Sequence, residues 1–230
     1  MVQIMLKTIT IFLLMTFSCS LAGQWGVRVG YNLNQTSSWD EFFSTIEGSN
    51  QSVFDNSISL EVDYWLRLPN QRIEFYPYIS YHRASSNLAI SETSLSLRQI
   101  GAGLKTHIYL LDLIDDCDCP TFSKQGGLFK KGFFLLGGIG VDFSEKGVAN
   151  EGFRDGNIDF RGTIGLGLDL GVNDLVTISP FIAFNRYFDV SWHELGNSFG
   201  QPGVDVSSHL NQLQLGVRIG FRADYGRQRF

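Results

Sequence analysis

Residues 213–223 hold the pattern that most limits what this chain can become. Leu213, Leu215, Val217, Ile219, Phe221 and Ala223 form an unbroken apolar row, while Gln212, Gln214, Gly216, Arg218, Gly220 and Arg222 form a polar and small one. The period is two, which makes the run a strand with two unlike faces and not a helix. Its length suits the roughly 9 to 11 residues that a tilted strand needs to cross a bilayer. An arginine-bearing face behind an apolar one is what a barrel wall in lipid requires.

Residues 1–22 speak for the compartment. One cation, Lys7, precedes an apolar run and then the small residues Ser20 and Ala22. This is the layout of a secretory signal peptide cut before Gly23, with an apolar core too short for a membrane helix. Cys19 offers a rival, a lipid-bearing N-terminal cysteine, but Thr16-Phe17-Ser18 lacks the leucine customary before such a site. Removing the segment takes Lys7 with it and moves the formal charge from −5 to −6, which argues against nucleic acid as a partner. No later stretch offers 18 consecutive apolar residues, so helical spans are excluded. An exported chain with 25 glycines and 13 % aromatic residues fits a β-barrel instead.

Further along, the alternation returns seven times. Residues 25–33 place Trp25, Val27, Val29, Tyr31 and Leu33 on one face, and they are expected to pair with the final strand and close the barrel, since closure alone satisfies sheet edges in lipid. Strands follow at 58–68, 72–83, 93–110, 132–144, 158–170 and 175–188. Pro77 removes a ladder donor and predicts a bulge. A second bulge is expected at Arg98-Gln99, where the apolar parity slips between Leu97 and Ile100. Tight turns at Pro69-Asn70-Gln71 and Val172-Asn173-Asp174 alternate with longer, polar connections, among them a long loop at 34–56. Short turns face the periplasm in such barrels, and both termini lie there too. The expected fold is all-β: an eight-stranded antiparallel up-and-down transmembrane β-barrel over residues 23–230, with a periplasmic insertion at 111–131.

On this register the interior receives Arg28, Arg67, Lys105, Arg161, Arg218 and Arg222 together with Glu61, Asp63, Glu74, Asp142, Asp159 and Asp169. Six cations meet six anions in a space just wide enough for side chains to fill, which predicts a plugged polar interior. Catalysis or proton conduction by some of these carboxylates is the competing reading, and structural pairing is the commoner role.

The run Asp116-Cys117-Asp118-Cys119-Pro120-Thr121-Phe122-Ser123-Lys124-Gln125, followed by Phe129-Lys130-Lys131-Gly132-Phe133-Phe134, resembles the outer-membrane β-barrel, porin-family-like proteins of Bacteroidota. The chain as a whole is similar to the small Gram-negative outer-membrane barrels of the OmpX and OmpA-barrel type. That resemblance implies an outer-membrane location, outer-membrane lipid and the barrel-insertion machinery as partners, and no cofactor. The terminal Phe230 matches the end that many outer-membrane strands present to that machinery, although residues 225–230 break the alternation.

Other features carry less. Cys117 and Cys119 form either a small disulfide ring in an oxidising compartment or, with the neighbouring aspartates, part of a metal site; the lack of a nearby histidine favours the disulfide. His82 with Ser86, and Ser191-Trp192-His193-Glu194, are nominal catalytic groupings whose spacing does not bring base and nucleophile together. Trp39, Phe42 and Phe43, with Ile46 and Phe54, are aromatic and apolar positions in the first outer loop. They serve as a surface-binding patch, as interface anchors or as the loop's own core. The expected function is a structural, surface-binding or envelope-assembly barrel without catalysis, with a periplasmic partner conceivable at 111–131. A narrow porin-like channel and a lipid-modifying enzyme are the alternatives.

Overall fold

A computed structural model describes residues 24–47, 52–68, 71–87, 94–112, 132–148, 153–172, 175–193, 195, 199 and 205–222. The signal peptide, Cys117 and Cys119 with most of the 111–131 insertion, and Phe230 lie outside the described residues. Ten strands follow in chain order: β1 (Gln24–Thr36), β2 (Asn56–Tyr64), β3 (Leu66–Arg67), β4 (Ile73–Asn87), β5 (Ser94–Ile108), β6 (Phe133–Val148), β7 (Phe153–Leu168), β8 (Leu170–Gly171), β9 (Val176–Trp192) and β10 (Val206–Arg222). The two-residue β3 and β8 continue β2 and β7, so the wall has eight staves, each antiparallel to its neighbours. β1 pairs with β10 from Gln24↔Arg222 to Thr36↔Leu210, which closes the barrel and removes both sheet edges.

Outward residues form a continuous apolar band, with Ile139 and Ile164 the most exposed at 71 % and 67 %. The face that water would penalise is the one a bilayer accepts. Trp25 stacks on Phe221 with ring centroids 4.5 Å apart at the end that carries both termini, where an aromatic girdle meets the membrane interface.

Neither expected bulge is present. Arg98 and Gln99 pair without a shift to Arg83 and His82 on one side and to Glu145 and Ser144 on the other. What slips is polarity. The staves run beyond the lipid band at the loop-bearing end, and there Leu95 and Leu97 point inward into an apolar cluster while Ser96 and Arg98 face out. Pro77 faces outward and pairs in register with Leu104. It stands opposite the break between β2 and β3, where the ladder stops at Asp63↔Tyr78 and resumes at Leu66↔Phe75. No donor is needed at that point. The irregularity that does occur lies between β9 and β10 at Ser208/Leu210.

The 34–56 connection is also more than a loop. β1 runs on to Thr36, and a helix, α1 (Ser37–Glu47), follows. Asp40 in its first turn accepts from Thr36 Oγ1 at 2.9 Å and from Val53 N at 2.8 Å, which fixes the helix start and folds the return segment against it. Trp39, Phe42 and Phe43 recur at helical spacing and turn one face toward the barrel mouth.

Candidate functional site: the filled interior

Alternation aims every second side chain of each stave into the barrel, and the inward set stacks in three layers. The middle layer is charged. Glu61 accepts from Lys105 Nζ at 2.5 Å and lies 3.3 Å from Arg28 Nε. Asp63 takes both Nε and Nη2 of Arg218, at 2.8 and 2.6 Å, with Arg28 at 3.7 Å. Beside them Arg161 is a hub: Nη1 lies 2.8 Å from His82 Nε2 and donates to the Tyr187 hydroxyl at 3.0 Å, Nη2 donates to Tyr78 at 2.9 Å and Ser80 at 3.1 Å, and Nε faces Asp142 at 3.3 Å. All these groups are buried, so their fields are little screened and loss of any partner is costly.

Aromatic rings hold the cations as well. Arg28 lies over Phe181, Lys105 over Tyr78 and Arg218 over Tyr76, each within about 5 Å of the ring centroid. Glycine supplies the room: a Cβ at Gly26 would meet the Arg218 guanidinium at 2.5 Å, and one at Gly103 would meet the Tyr78 hydroxyl at 2.5 Å and the Ile139 carbonyl oxygen closer still.

Toward the termini, hydroxyls take over. Tyr76 donates to Glu74 at 2.5 Å, the Tyr109 hydroxyl lies 2.9 Å from Glu74 and 2.5 Å from Asp169, and Ser179 donates to Asp169 at 2.5 Å. Back in the charged layer, Asp159, the cross-strand partner of Asp142, accepts from Ser144 and, at 3.2 Å, from Asn157. The His107 ring lies parallel to Phe134 with centroids 3.9 Å apart. Arg67 and Arg222 occupy strand positions paired with Glu74 and Gln24, and their side chains lie outside those described.

At the loop end the layer is apolar. Trp39, Phe43, Val53, Phe54, Leu95, Leu97, Val148, Tyr187, Val190, Trp192, Leu195 and Leu210 form one buried cluster across the mouth. Trp39 meets Trp192 edge-to-face at 5.5 Å and donates Nε1–H to the Val206 carbonyl at 3.2 Å. The reading of Trp39, Phe42 and Phe43 as a surface-binding patch is therefore corrected. Trp39 and Phe43 are buried, and Phe42 packs against Phe43 and Phe199. Burying these rings is what stabilises the helix over the mouth. The i, i+3, i+4, i+7 spacing of 39, 42, 43 and 46 was the available signal.

Of the nominal catalytic groupings, His82 rests on Arg161, His193 reaches Asp155 at 3.4 Å on the exposed rim and Trp192 points into the cluster, while Glu194 lies outside the described residues. Among the described residues no group of three or more His, Cys, Asp and Glu is arranged to hold a metal.

A closed barrel of eight antiparallel staves, apolar outside and polar within, defines an outer-membrane β-barrel protein, and its location is the outer membrane. No protein-family model matches the chain, and no curated protein does. Solved structures do. Neisserial surface protein A is 14 % identical with a TM-score of 0.47, the match covering 87 % of this chain and 97 % of that one. A major outer membrane protein of Thermus thermophilus is 9 % identical with a TM-score of 0.47, covering 87 % and 100 %. Ail, the attachment invasion locus protein of Yersinia pestis, is 8 % identical with a TM-score of 0.43, covering 86 % and 99 %. None of these favours the narrower Bacteroidota resemblance.

Proposed function

We propose that this protein is a non-conducting, non-catalytic outer-membrane barrel that serves the envelope as a structural or surface-binding component. The observation that carries the reading is the continuity of the filling: a layer of interlocked ion pairs around Arg28, Glu61, Asp63, Lys105 and Arg218 lies beneath an apolar cap at the mouth. A permeating ion would have to separate buried charge pairs and then cross a dry aromatic layer, and both steps are costly. Among the described residues the inward polar groups engage one another, and no nucleophile and base are aligned for a substrate. Lipid, the barrel-insertion machinery and a periplasmic partner at 111–131 remain the partners this role would use.

Planar-bilayer recording on purified protein is the test. Bilayers that stay silent after verified insertion support the reading, and steady unitary currents overturn it. A narrow ion channel is the rival, favoured by one feature: the Arg28 guanidinium has ion pairs but no hydrogen-bond partner among the described residues, so water would enter there first.

A further inference from the structure

On the outer wall, two arginines stand side by side. Arg83 of β4 and Arg98 of β5 are direct cross-strand partners, and both side chains face outward. Like charges so placed repel and destabilise the pair unless an anion lies between them. One carboxylate, Glu145 of β6, approaches Arg98 at 3.9 Å, and Arg83 has no ion-pair partner among the described residues. The three residues line a depression of about 130 Å³ with Ser96 and Gly147.

Its height on the barrel is informative. One step along the same faces toward the termini come Tyr81, Ile100 and Phe143, all lipid-exposed, so the arginines mark the upper border of the apolar band. Below that border lies an apolar groove of about 530 Å³, floored by the small residues Ala102 and Gly162 and walled by Ile139, Phe160 and Phe188. Ala102 is on the face of Arg98, four residues further along β5, about 13 Å at ~3.3 Å per residue. A third outward arginine, Arg186, borders this groove with its guanidinium 5.7 Å from the Phe188 ring centroid. An arginine on a lipid-facing wall is unfavourable unless it reaches an anion.

From the cation pair, the groove and their separation, we infer that this face holds a phosphate-bearing lipid of the outer leaflet, its phosphate between Arg83 and Arg98 and an acyl chain in the Ala102–Gly162 groove. Guanidinium groups bind phosphate oxygens in pairs, and the apolar groove accepts a chain that a free anion lacks. The inference rests on the outer-membrane reading, which sets this rim against the outer leaflet.

The experiment uses the purified full chain in nanodiscs of the phosphate-free lipid digalactosyldiacylglycerol doped with monophosphoryl lipid A, then native mass spectrometry after transfer to detergent. The wild-type protein is expected to retain the phosphorylated lipid about tenfold better than the same lipid after phosphatase treatment. Arg83→Gln/Arg98→Gln is expected to lose that preference. Gly162→Leu, which leaves both arginines in place, is expected to lower retention by filling the groove. Heat-modifiable gel migration checks that each variant is folded. Equal retention of the dephosphorylated lipid, or unchanged retention by the double variant, would overturn the inference. So would displacement by millimolar inorganic phosphate with no effect of Gly162→Leu, which would make the site one for a free anion. Failure of the wild-type chain to enter the bilayer overturns the barrel reading along with this one, whereas insertion without retention overturns this one alone.

Discussion

Arg218 and Asp63 lie 155 residues apart in sequence and meet as a two-point ion pair, Nη2 to Oδ1 at 2.6 Å and Nε to Oδ2 at 2.8 Å. Their strands, β10 and β2, flank β1 on either side, so this contact ties the closing strand across the seam. Arg218→Leu would leave the buried Asp63 with Arg28 at 3.7 Å as its remaining ion-pair partner. Breaking a buried pair costs about 3–5 kcal/mol. The expected result is a clear fall in the heat- or urea-unfolding midpoint of the inserted barrel. An unchanged midpoint would mean that the seam is held by backbone pairing alone.

Position along the barrel wall separates strong ion pairs from weak ones. Arg161 is fully enclosed and contacts Asp142, His82, Tyr187, Tyr78 and Ser80, whereas Arg98 is half-exposed and sits 3.9 Å from Glu145. Arg161→Met is expected to destabilise the barrel by several kcal/mol, because it orphans a buried carboxylate and a set of hydroxyls. Arg98→Met is expected to stay within about 1 kcal/mol of the wild type in lipid-free detergent, because loss of the weak Glu145 pair is offset by relief of repulsion from Arg83. Urea titrations of the two variants side by side decide this, and comparable losses would contradict the layered interior.

Glycine replacements sort by the face they meet. A Cβ at Gly103 would strike the Ile139 carbonyl oxygen and come within 2.5 Å of the Tyr78 hydroxyl, while at Gly137 nothing lies within 4 Å. Gly103→Ala should therefore lower stability by about 1–3 kcal/mol through overpacking. Gly137→Ala should stay within about 0.5 kcal/mol of the wild type. The same unfolding assay distinguishes them, and equal effects would rule out contact with the interior filling as the cause.

What was legible in the sequence was whatever period two could carry. The pairing of residues 25–33 with 213–223 follows from matching faces, and it is the β1–β10 seam. The ends of the staves were not legible, because the rule that apolar faces outward holds only within lipid. Above the lipid band Leu95, Leu97 and Leu210 turn inward, so β5 looked bulged and β10, which begins at Val206, looked as though it began at Leu213. The helix was hidden for a related reason: polar residues between Trp39 and Phe43 read as a loop until a buried partner such as Trp192, from far along the chain, gives the aromatic stripe something to pack on. Charge pairing was legible only as composition. That Arg161 serves Asp142 and four polar side chains, while Glu61 takes Lys105, depends on depth along the barrel, which alternation does not encode.

The cap and the charged layer beneath it are physically separate seals, and a single substitution can tell them apart. Trp39 is fully buried, packs edge-to-face on Trp192 and Phe54, and donates to Val206, so it joins α1 to the mouth of the barrel. Truncating a buried tryptophan to alanine costs about 3–5 kcal/mol. A connection whose tertiary contacts are so local has little else to lose and opens as a unit without unfolding the staves. Trp39→Ala is accordingly expected to expose residues 37–56 to added protease while the barrel keeps its heat-modifiable migration. Phe42→Ala, at a partly buried ring, is expected to do so more weakly. Because Glu61, Lys105, Asp63 and Arg218 lie below the cap on other staves, the opened variant should still be electrically silent in a planar bilayer. Steady currents from Trp39→Ala would make the aromatic cap the seal and leave the ion pairs a structural role only.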